Sequence, residues 1–257
     1  MPRTKSDEDS FNRLYTALTL FICISITTVL LLTVSWLPPF GDPGNPAHNE
    51  VPRKYLEDGV SDTGTLNIVV AMILDYRAFD TFGEAVVLFV AVGAVMVLLR
   101  HTRPPDAYDS LLEEIDSPVL NVVLKSTSFL LISFILVYGC FVIINGHVGS
   151  GGGFPGGAIL GSAFILYASA YGTQRASAFL TFRLYSRIVS ISPLFYAFAK
   201  GYSFFVGANG IPSVIPKGIP GELLSAGLIL PLNIAVGLIV AATVYVIFIL
   251  FSKGEFR

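Results

Sequence analysis

Long apolar segments, separated by short polar ones, make up most of the chain. No Asp, Glu, Lys or Arg occurs in residues 14–41, 126–174 or 223–252. A helix needs about 20 apolar residues to span the hydrocarbon core of a bilayer, so the pattern predicts an all-α, polytopic transmembrane helical bundle. About seven spans account for it: residues 14–37, a segment that begins near residue 65, and residues 82–99, 118–145, 156–172, 186–206 and 223–251.

The most charged segment, RHTRPPDAYDSLLEEIDSP, lies between the third and fourth predicted spans. It favours a division into three parts. Residues 1–104 form a domain with three transmembrane helices, residues 105–117 form a charged linker, and residues 118–257 form a domain with four transmembrane helices. No internal repeat is visible.

The first apolar run is too long for the 7–15-residue core of a signal peptide, and the residues before it are acidic. We therefore expect a retained membrane anchor. If the spans alternate in direction, one side of the membrane receives more Lys and Arg, which is typical of the cytoplasmic side. That excess favours an N-terminus outside and a cytoplasmic C-terminus. The side that carries it holds Arg53, Lys54, Arg100, Arg103, Arg175, Arg183, Lys253 and Arg257.

Composition supports the membrane class and excludes others. Hydrophobic residues make up 53% of the 257 and charged residues 13%, against about 25% charged in soluble proteins. The net charge is −2 and no basic block occurs, which argues against a nucleic-acid partner. Neither cysteine has the Cys/His spacing of a metal site.

One charged stretch interrupts the apolar pattern. Residues 75–84 read DYRAFDTFGE, with three carboxylates (Asp75, Asp80 and Glu84) and Arg77. Asp80 and Glu84 are four residues apart and share a face if the segment is helical, and Arg77 can pair with one of them. Ionisable residues inside a membrane are costly and are candidates for a functional site.

The length of the second span places this stretch close to the membrane. Residues 66–74 give about 14 Å of helix, whereas residues 64–83 give about 30 Å, which matches the hydrocarbon thickness. The charged stretch is therefore either a tight turn at the membrane surface or lies partly inside the membrane. Both interpretations remain open from the residues alone.

The Gly-rich segment GHVGSGGGFPGG follows the fourth span. It lacks the Lys-Ser/Thr ending of a phosphate loop, which excludes nucleotide binding. It is either a flexible turn or a break in a helix where backbones approach closely inside the membrane. His147 in this segment is either a hydrogen-bonded structural residue or a proton relay, since histidines titrate near neutral pH.

Two lysines in predicted spans are further relay candidates. Lys125 lies about 10 Å into the fourth span and can extend its ammonium to the membrane surface. Lys200 lies between AFA and GYSFF in the sixth span and has fewer routes to water. It is therefore the better candidate for a relay.

Two segments carry a family resemblance. TGTLNIVVAMILDYRAFDTFGEAVVLF resembles the C-terminal end of the large A subunit of Mrp-type Na⁺/H⁺ antiporters, and more closely the E subunit of energy-converting membrane-bound hydrogenases. YGCFVIINGHVGSGGGFPGGAILGSAFILYASAYG resembles the B subunit of Mrp antiporters, the MnhB-like domain. Together the resemblances cover roughly residues 60–245.

The resemblance implies an E-like unit fused to an MnhB-like unit, in a multi-subunit Na⁺/H⁺-translocating complex. It assigns ion translocation to Asp80 and Glu84, with Asp75 and Arg77 as companions; Ala78 stands where the family motif has Gly. His147 and five glycines match the MnhB-like turn. Those glycines are Gly151, Gly152, Gly153, Gly156 and Gly157.

We therefore expect a non-redox, non-catalytic subunit of a Mrp antiporter or of the ion-pumping arm of a hydrogenase or complex I-like assembly. The alternatives are an assembly subunit that only packs between pumping subunits and a stand-alone transporter. No cofactor is expected in this chain, and the transported ions are H⁺ and Na⁺. The expected partners are the other subunits and the lipid of the plasma membrane.

Overall fold

The structure is a computed structural model that describes residues 5–45, 48–99 and 118–253. The regular elements of these residues are helices and no strand occurs among them, which confirms the all-α prediction. The predicted linker at residues 105–117 lies outside this part of the chain. The structure divides into two units, residues 1–53 and 54–257.

The first unit contains one long helix, α1 (Lys5–Ser35), which coincides with the first predicted span. Apart from the half-buried Ser25, its described side chains are exposed, including large apolar residues. Six of its Ser and Thr hydroxyls donate back to carbonyls about one turn earlier, as Thr19 does to Tyr15, so these six need no water. Pro38 and Pro39 follow shortly after its end and cannot continue a helix.

The second unit contains most of the helices, and its boundary with the first falls within α2. In chain order the elements are α2 (Glu50–Thr63), α3 (Ile68–Ala71), a π-helix (Met72–Tyr76), α4 (Ala78–Leu99), α5 (Pro118–Ile144), α6 (Gly153–Tyr171), α7 (Thr173–Phe179), α8 (Phe182–Ala208) and α9 (Ile229–Lys253).

The prolines and glycines of the polar segment between the first two predicted spans predict a loop, and helix α2 corrects that prediction. Pro52 lies in its first turn, where its missing N–H is not needed, and Glu50 favours a helix N-terminus. Lys54 pairs with Asp58 one turn later at 2.8 Å. Prolines and glycines in the sequence therefore indicated a loop where a short polar helix forms.

Five helices of the described residues are long and apolar enough to cross a membrane, which makes the chain a multi-pass membrane protein. The segments predicted as the second and sixth spans are not among these five helices. The second is broken at Arg77, and the sixth, α8, contains Pro193 and three cationic residues. The five helices cover Asn12–Ser35, Ala78–Leu99, Val122–Ile144, Gly153–Tyr171 and Ile229–Ser252.

Helix α9 is the centre of the second unit, packed against α4, α6 and α8. Its side chains take part in two apolar clusters. One contains Val92, Tyr185 and Tyr245; the other contains Leu74 and Tyr196, together with Leu232 of α9. The second cluster supports the broken helix that carries the charged stretch.

Candidate functional site

The charged stretch begins in a helix that breaks. Asn67 caps α3, because its side-chain oxygen accepts hydrogen bonds from the N–H groups of Val69 and Val70. The helix widens into the π-helix and ends at Arg77, whose N–H donates to the carbonyl of Met72. Single π-helical turns occur frequently at functional sites, and here the π-helix carries Asp75.

The chain bends sharply at the break. The Thr81 hydroxyl donates to the carbonyl oxygen of Ile73 at 2.6 Å. In a straight helix, residues eight apart lie about 12 Å from each other along the axis. The charged stretch therefore contains a turn at Arg77, between the π-helix and α4, and residues 64–83 do not form one continuous helix.

A buried lysine pairs with the carboxylate of the π-helix. The Nζ atom of Lys200 lies 2.6 Å from Oδ1 of Asp75. The Lys200 side chain is 5% exposed and that of Asp75 36%. The structure thus brings together two predicted site residues that the sequence did not pair.

The other charges of the stretch point outward. Arg77 pairs with Asp80, its Nη2 2.5 Å from Oδ2 and its Nε 2.7 Å from the same atom, and both side chains are more than half exposed. Glu84, one turn further along α4, is exposed and forms no ion pair within the described part of the chain. The four ionisable groups therefore do not form one ion-pair network: Asp75 pairs with Lys200 of α8, Asp80 pairs with Arg77, and Glu84 is exposed on α4.

A tyrosine of α8 holds the first turn of α4. The Tyr196 hydroxyl donates to the carbonyl oxygen of Ala78 at 2.9 Å, and its ring stacks on Phe82 with centroids 5.9 Å apart. Tyr196 is fully buried. The sequence analysis did not single out Tyr196, although its position four residues before Lys200 placed both on one face of a helix.

His147 joins the Gly-rich turn to the start of the broken helix. Its carbonyl oxygen accepts hydrogen bonds from the N–H groups of Leu66 and Asn67, at 3.1 and 3.2 Å, and from the Thr65 hydroxyl. Asn67 returns the contact, since its Nδ2 donates to the carbonyls of Gly146 and Gly149 at 2.8 and 2.7 Å.

The ring of His147 is buried, with one nitrogen engaged. Nε2 lies 3.2 Å from the carbonyl oxygen of Glu222. A carbonyl only accepts hydrogen bonds, so Nε2 is the donor in this contact. Nδ1 has no hydrogen-bond partner among the described residues.

The glycines of the turn lie where α5, α6 and α9 approach closely. A Cβ atom on Gly151 would lie 2.5 Å from the Val142 carbonyl oxygen, one on Gly153 would lie 2.5 Å from the Asn233 carbonyl oxygen, and one on Gly157 would lie 2.6 Å from the Gly237 carbonyl oxygen. A Cβ atom on Gly156 would lie 2.4 Å from the side chain of Ile143, and Gly152 has a φ of 147°. Asn233 also caps α6, its Oδ1 accepting from the Gly153 N–H at 2.9 Å.

Comparison with known proteins covers both halves of the chain. Residues 123–246 match the family described as "Domain related to MnhB subunit of Na+/H+ antiporter", and residues 40–115 match MbhE, the E subunit of MBH. An uncharacterized protein of Methanocaldococcus jannaschii is 31% identical over 195 residues, which is 68% of this chain and 73% of that protein. The chain belongs to the family of Mrp antiporter and membrane-bound hydrogenase subunits.

Other relatives are named as antiporter subunits. A putative antiporter subunit mnhB2 of Staphylococcus aureus is 36% identical over 85 residues, which is 30% of this chain and 60% of that protein. A probable A/B subunit of a K⁺/H⁺ antiporter of Rhizobium meliloti is 27% identical over 154 residues, half of this chain and 15% of that protein. The predicted assignment to antiporter-type modules is thereby confirmed.

Two solved structures share the fold. A chain of the membrane-bound sulfane sulfur reductase, an archaeal respiratory membrane complex, superimposes with a TM-score of 0.63 at 27% identity, covering 91% of this chain and 96% of that one. A chain of the Mrp complex from Dietzia sp. superimposes with a TM-score of 0.65 at 21% identity, covering all of this chain and 27% of that one.

The contacts around the break connect the two family segments. We call residues 40–115 the E-like part and residues 123–246 the MnhB-like part. The ion pair of Asp75 with Lys200, the bond from Tyr196 to Ala78 and the bonds between Asn67 and the Gly-rich turn all cross between them. The turn of the E-like part is therefore built on the MnhB-like part.

Lys125 does not join this group. It is exposed on α5, and its carbonyl oxygen accepts a hydrogen bond from the Tyr171 hydroxyl at 3.0 Å. Among the described residues, no three His, Cys, Asp or Glu side chains cluster in a way that could hold a metal ion.

A second group of charges, absent from the sequence analysis, lies beside the π-helix. Lys54 contacts Asp58 and Asp62 at 2.8 and 2.9 Å, and the Tyr76 hydroxyl donates to Asp62 at 2.8 Å. Hydrogen bonds from Lys54 and then Tyr76 hold the pKa of the Asp62 carboxyl below its usual value. The two carboxylates, Asp58 first, raise the pKa of Lys54. These contacts link α2 to the residue next to Asp75.

Proposed function

We propose that the chain is an ion-translocating subunit of a Mrp antiporter, or of the ion-pumping arm of a hydrogenase or complex I-like assembly. The observation that carries the proposal is the ion pair between the buried Lys200 and the partly exposed Asp75, next to a broken helix. Buried charges are costly even when paired, and in membrane proteins they mark ion paths. Broken helices are a common setting for cation and proton sites in transporters.

The pair offers a simple basis for coupling H⁺ to a cation. Asp75 is partly exposed, so a cation or a proton can reach its carboxylate from outside. Either one competes with the Lys200 ammonium, because each neutralises the same negative charge. Binding of one therefore excludes the other, which is what antiport requires.

Asp80 and Glu84 have a separate role in this proposal. Their carboxylates lie on the exposed side of α4, where a neighbouring subunit of the complex would complete a hydrated path. Arg77 neutralises Asp80 and leaves Glu84 to attract the cation. The cation is Na⁺ or another monovalent cation, since the names of the relatives include both Na⁺ and K⁺ antiporters.

The remaining expectations belong to the same proposal. The chain would perform no catalysis by itself and hold no cofactor, and any redox chemistry would belong to other subunits. The parent complex would lie in the plasma membrane, with the C-terminus of this chain in the cytoplasm. The chain would divide into an E-like unit at residues 1–104 and an MnhB-like unit at residues 118–257, joined by the linker at residues 105–117.

The test uses the assembled complex in everted membrane vesicles, with cation-dependent collapse of a pH gradient as the readout. Lys200→Met should lower the antiport rate at least tenfold while the amount of complex stays at the wild-type level. Lys125→Met, at an exposed lysine, is the matched control and should have no effect. Wild-type antiport in Lys200→Met would overturn the proposal.

The alternative of a purely structural subunit makes a different prediction. If the exposed Arg77–Asp80 pair only braces the turn, Asp80→Glu should have no effect and Asp80→Ala should prevent assembly of the complex. The proposed ion path predicts that Asp80→Ala and Glu84→Ala leave the complex assembled and slow the antiport.

A further inference from the structure

Three exposed arginines that the proposed function does not use lie where α6 ends and α8 begins. Arg175 belongs to the short helix α7, and Arg183 and Arg187 belong to the first two turns of α8. None of the three forms an ion pair within the described part of the chain. We call these three arginines the basic patch.

Packing holds the two helices of the basic patch together. Ala176, which follows Arg175 in α7, lies in the same buried cluster as Tyr185 of α8. Arg183 and Arg187 are four residues apart and share one face of α8, whereas Tyr185, between them in the sequence, is buried. The inner sides of α7 and α8 are therefore joined, and the arginines lie on the outer sides.

The charge of the basic patch has no compensation nearby in the sequence. No Asp or Glu occurs between Asp116 and Glu222, so residues 175–187 carry three positive charges and no negative one. A guanidinium group presents a planar set of N–H donors that matches the oxygens of a phosphate. The basic patch therefore fits a ligand with a phosphate group.

Aromatic side chains next to the basic patch indicate the level of the membrane surface. Helix α6 is long and apolar enough to cross a membrane and ends at Tyr171. The ring of Tyr167 lies 4.9 Å from that of Tyr171 and 5.3 Å from that of Phe179, between centroids. Tyrosines are enriched where the hydrocarbon meets the lipid headgroups. Arg175, four residues after the end of the span, therefore lies at the level of the headgroups.

We propose that the basic patch binds the headgroup of an anionic phospholipid. The guanidinium groups donate hydrogen bonds to the phosphate, and the acyl chains lie against Phe179 and Phe182, whose side chains are 64% and 45% exposed. A protein segment rich in carboxylates would satisfy the charges and leave these two rings uncovered, so the exposed rings favour a lipid.

The size of the effect follows from the number of cations. Each Lys or Arg at a membrane surface favours anionic lipid by about fivefold, so even one of the three arginines in contact with the headgroup should make the lipid at this position selective. The lipid site does not depend on the ion pair of Lys200 with Asp75, and it can fail or hold independently of the ion-translocating function.

The experiment compares two lipids at the basic patch of the assembled complex. Photoreactive benzoylphenylalanine replaces the exposed Ala178 of α7, and the complex is placed in nanodiscs with equal amounts of dioleoyl phosphatidylglycerol and dioleoyl phosphatidylcholine. Mass spectrometry of the cross-linked peptide should find phosphatidylglycerol in about fivefold excess or more. Changing all three arginines to Gln should bring the two lipids to equal amounts. Arg183→Gln alone should give an intermediate ratio, which is the test if the triple variant does not assemble.

Two controls separate the basic patch from the rest of the surface. Arg77→Gln changes an exposed arginine next to the first turn of α4 and should keep the wild-type ratio at position 178. The same photoreactive residue in place of Tyr138, which is exposed on α5, should cross-link both lipids equally.

Several outcomes would overturn the lipid site. Equal cross-linking of both lipids in the wild type, or an excess of phosphatidylglycerol that the Gln variants keep, would remove the arginines as its cause. Loss of the excess when inorganic phosphate is added would make the ligand a free anion. Cross-links to protein would show that another subunit covers the patch. An excess that arises only after the acidic residues of the linker at 105–117 are neutralised would assign the patch to that segment.

Discussion

The ammonium nitrogen of Lys200 and the Oδ1 atom of Asp75 lie 2.6 Å apart, although 125 residues separate them in the chain. The two residues are unequally buried. Lys200 is enclosed by the helices around it, whereas about a third of Asp75 is exposed. This asymmetry decides what happens when either partner is removed.

Asp75→Asn should destabilise the protein more than Lys200→Met does. The first change leaves a buried, unpaired ammonium, which in proteins costs about 3–5 kcal/mol; the second leaves a carboxylate that water can reach. The double variant should recover part of the loss. Melting temperatures of the purified complex measure all three, and equal loss in both single variants would contradict the asymmetry.

Arg77→Gln should change stability very little. Its partner Asp80 is exposed, and exposed ion pairs contribute about 0–1 kcal/mol. The same melting experiment checks this, with Lys200→Met as the reference for a buried pair. A loss as large as that of Lys200→Met would show that Arg77 braces the turn.

Asn67→Ala should loosen the start of the broken helix. The change removes the cap of α3, worth about 0.5–2 kcal/mol, and two bonds to the Gly-rich turn, worth about 1 kcal/mol each. Asn67→Asp keeps the cap oxygens and loses both donors, so it separates the two contributions. Amide hydrogen exchange at residues 68–76 measures the effect, and unchanged protection in both variants would contradict it.

Gly157→Ala should be poorly tolerated. Its Cβ would meet a backbone oxygen of α9 at 2.6 Å, which forces helices apart at a cost of about 1–3 kcal/mol. Gly93→Ala is the matched helical control, since no atom lies within 4 Å of its added Cβ. We expect a lower yield of complex for the first variant and wild-type yield for the second.

The group around Asp62 should give a pH dependence on the acid side. Its carboxyl pKa is lowered in the folded protein, so its contribution is complete above the usual value of 3.8 and is lost as pH falls through the lowered value. Asp62→Asn should flatten the decline in melting temperature below about pH 4. A decline identical to that of the wild type would remove Asp62 as a cause.

The long transmembrane helices can be predicted from the sequence, because the length of an apolar run determines them locally. The runs at residues 14–37 and 82–99 are examples. The charged stretch was recognised as anomalous by the same arithmetic, since residues 66–74 are too short to span a membrane. Its π-helix was not predictable, because the turn depends on contacts of Thr81 and Tyr196 with distant carbonyls.

The ion pair could not be predicted for the same reason. Nothing in the neighbourhood of Lys200 identifies a partner 125 residues away, and local reasoning paired Arg77 with its neighbours instead. Two local signals do point to parts of this structure. Asn67 stands directly before an apolar run, as an N-cap does. Lys54 and Asp58 have helical spacing within a segment whose prolines and glycines predict a loop.

The most direct test of the account is antiport by Asp75→Asn in the assembled complex. The variant keeps the shape of the side chain and removes the charge for which, in our proposal, the cation, the proton and Lys200 compete. We predict a loss of at least tenfold in cation-dependent proton movement per amount of assembled complex. Wild-type antiport with Asn at position 75 would contradict the proposal that this ion pair couples the two ions.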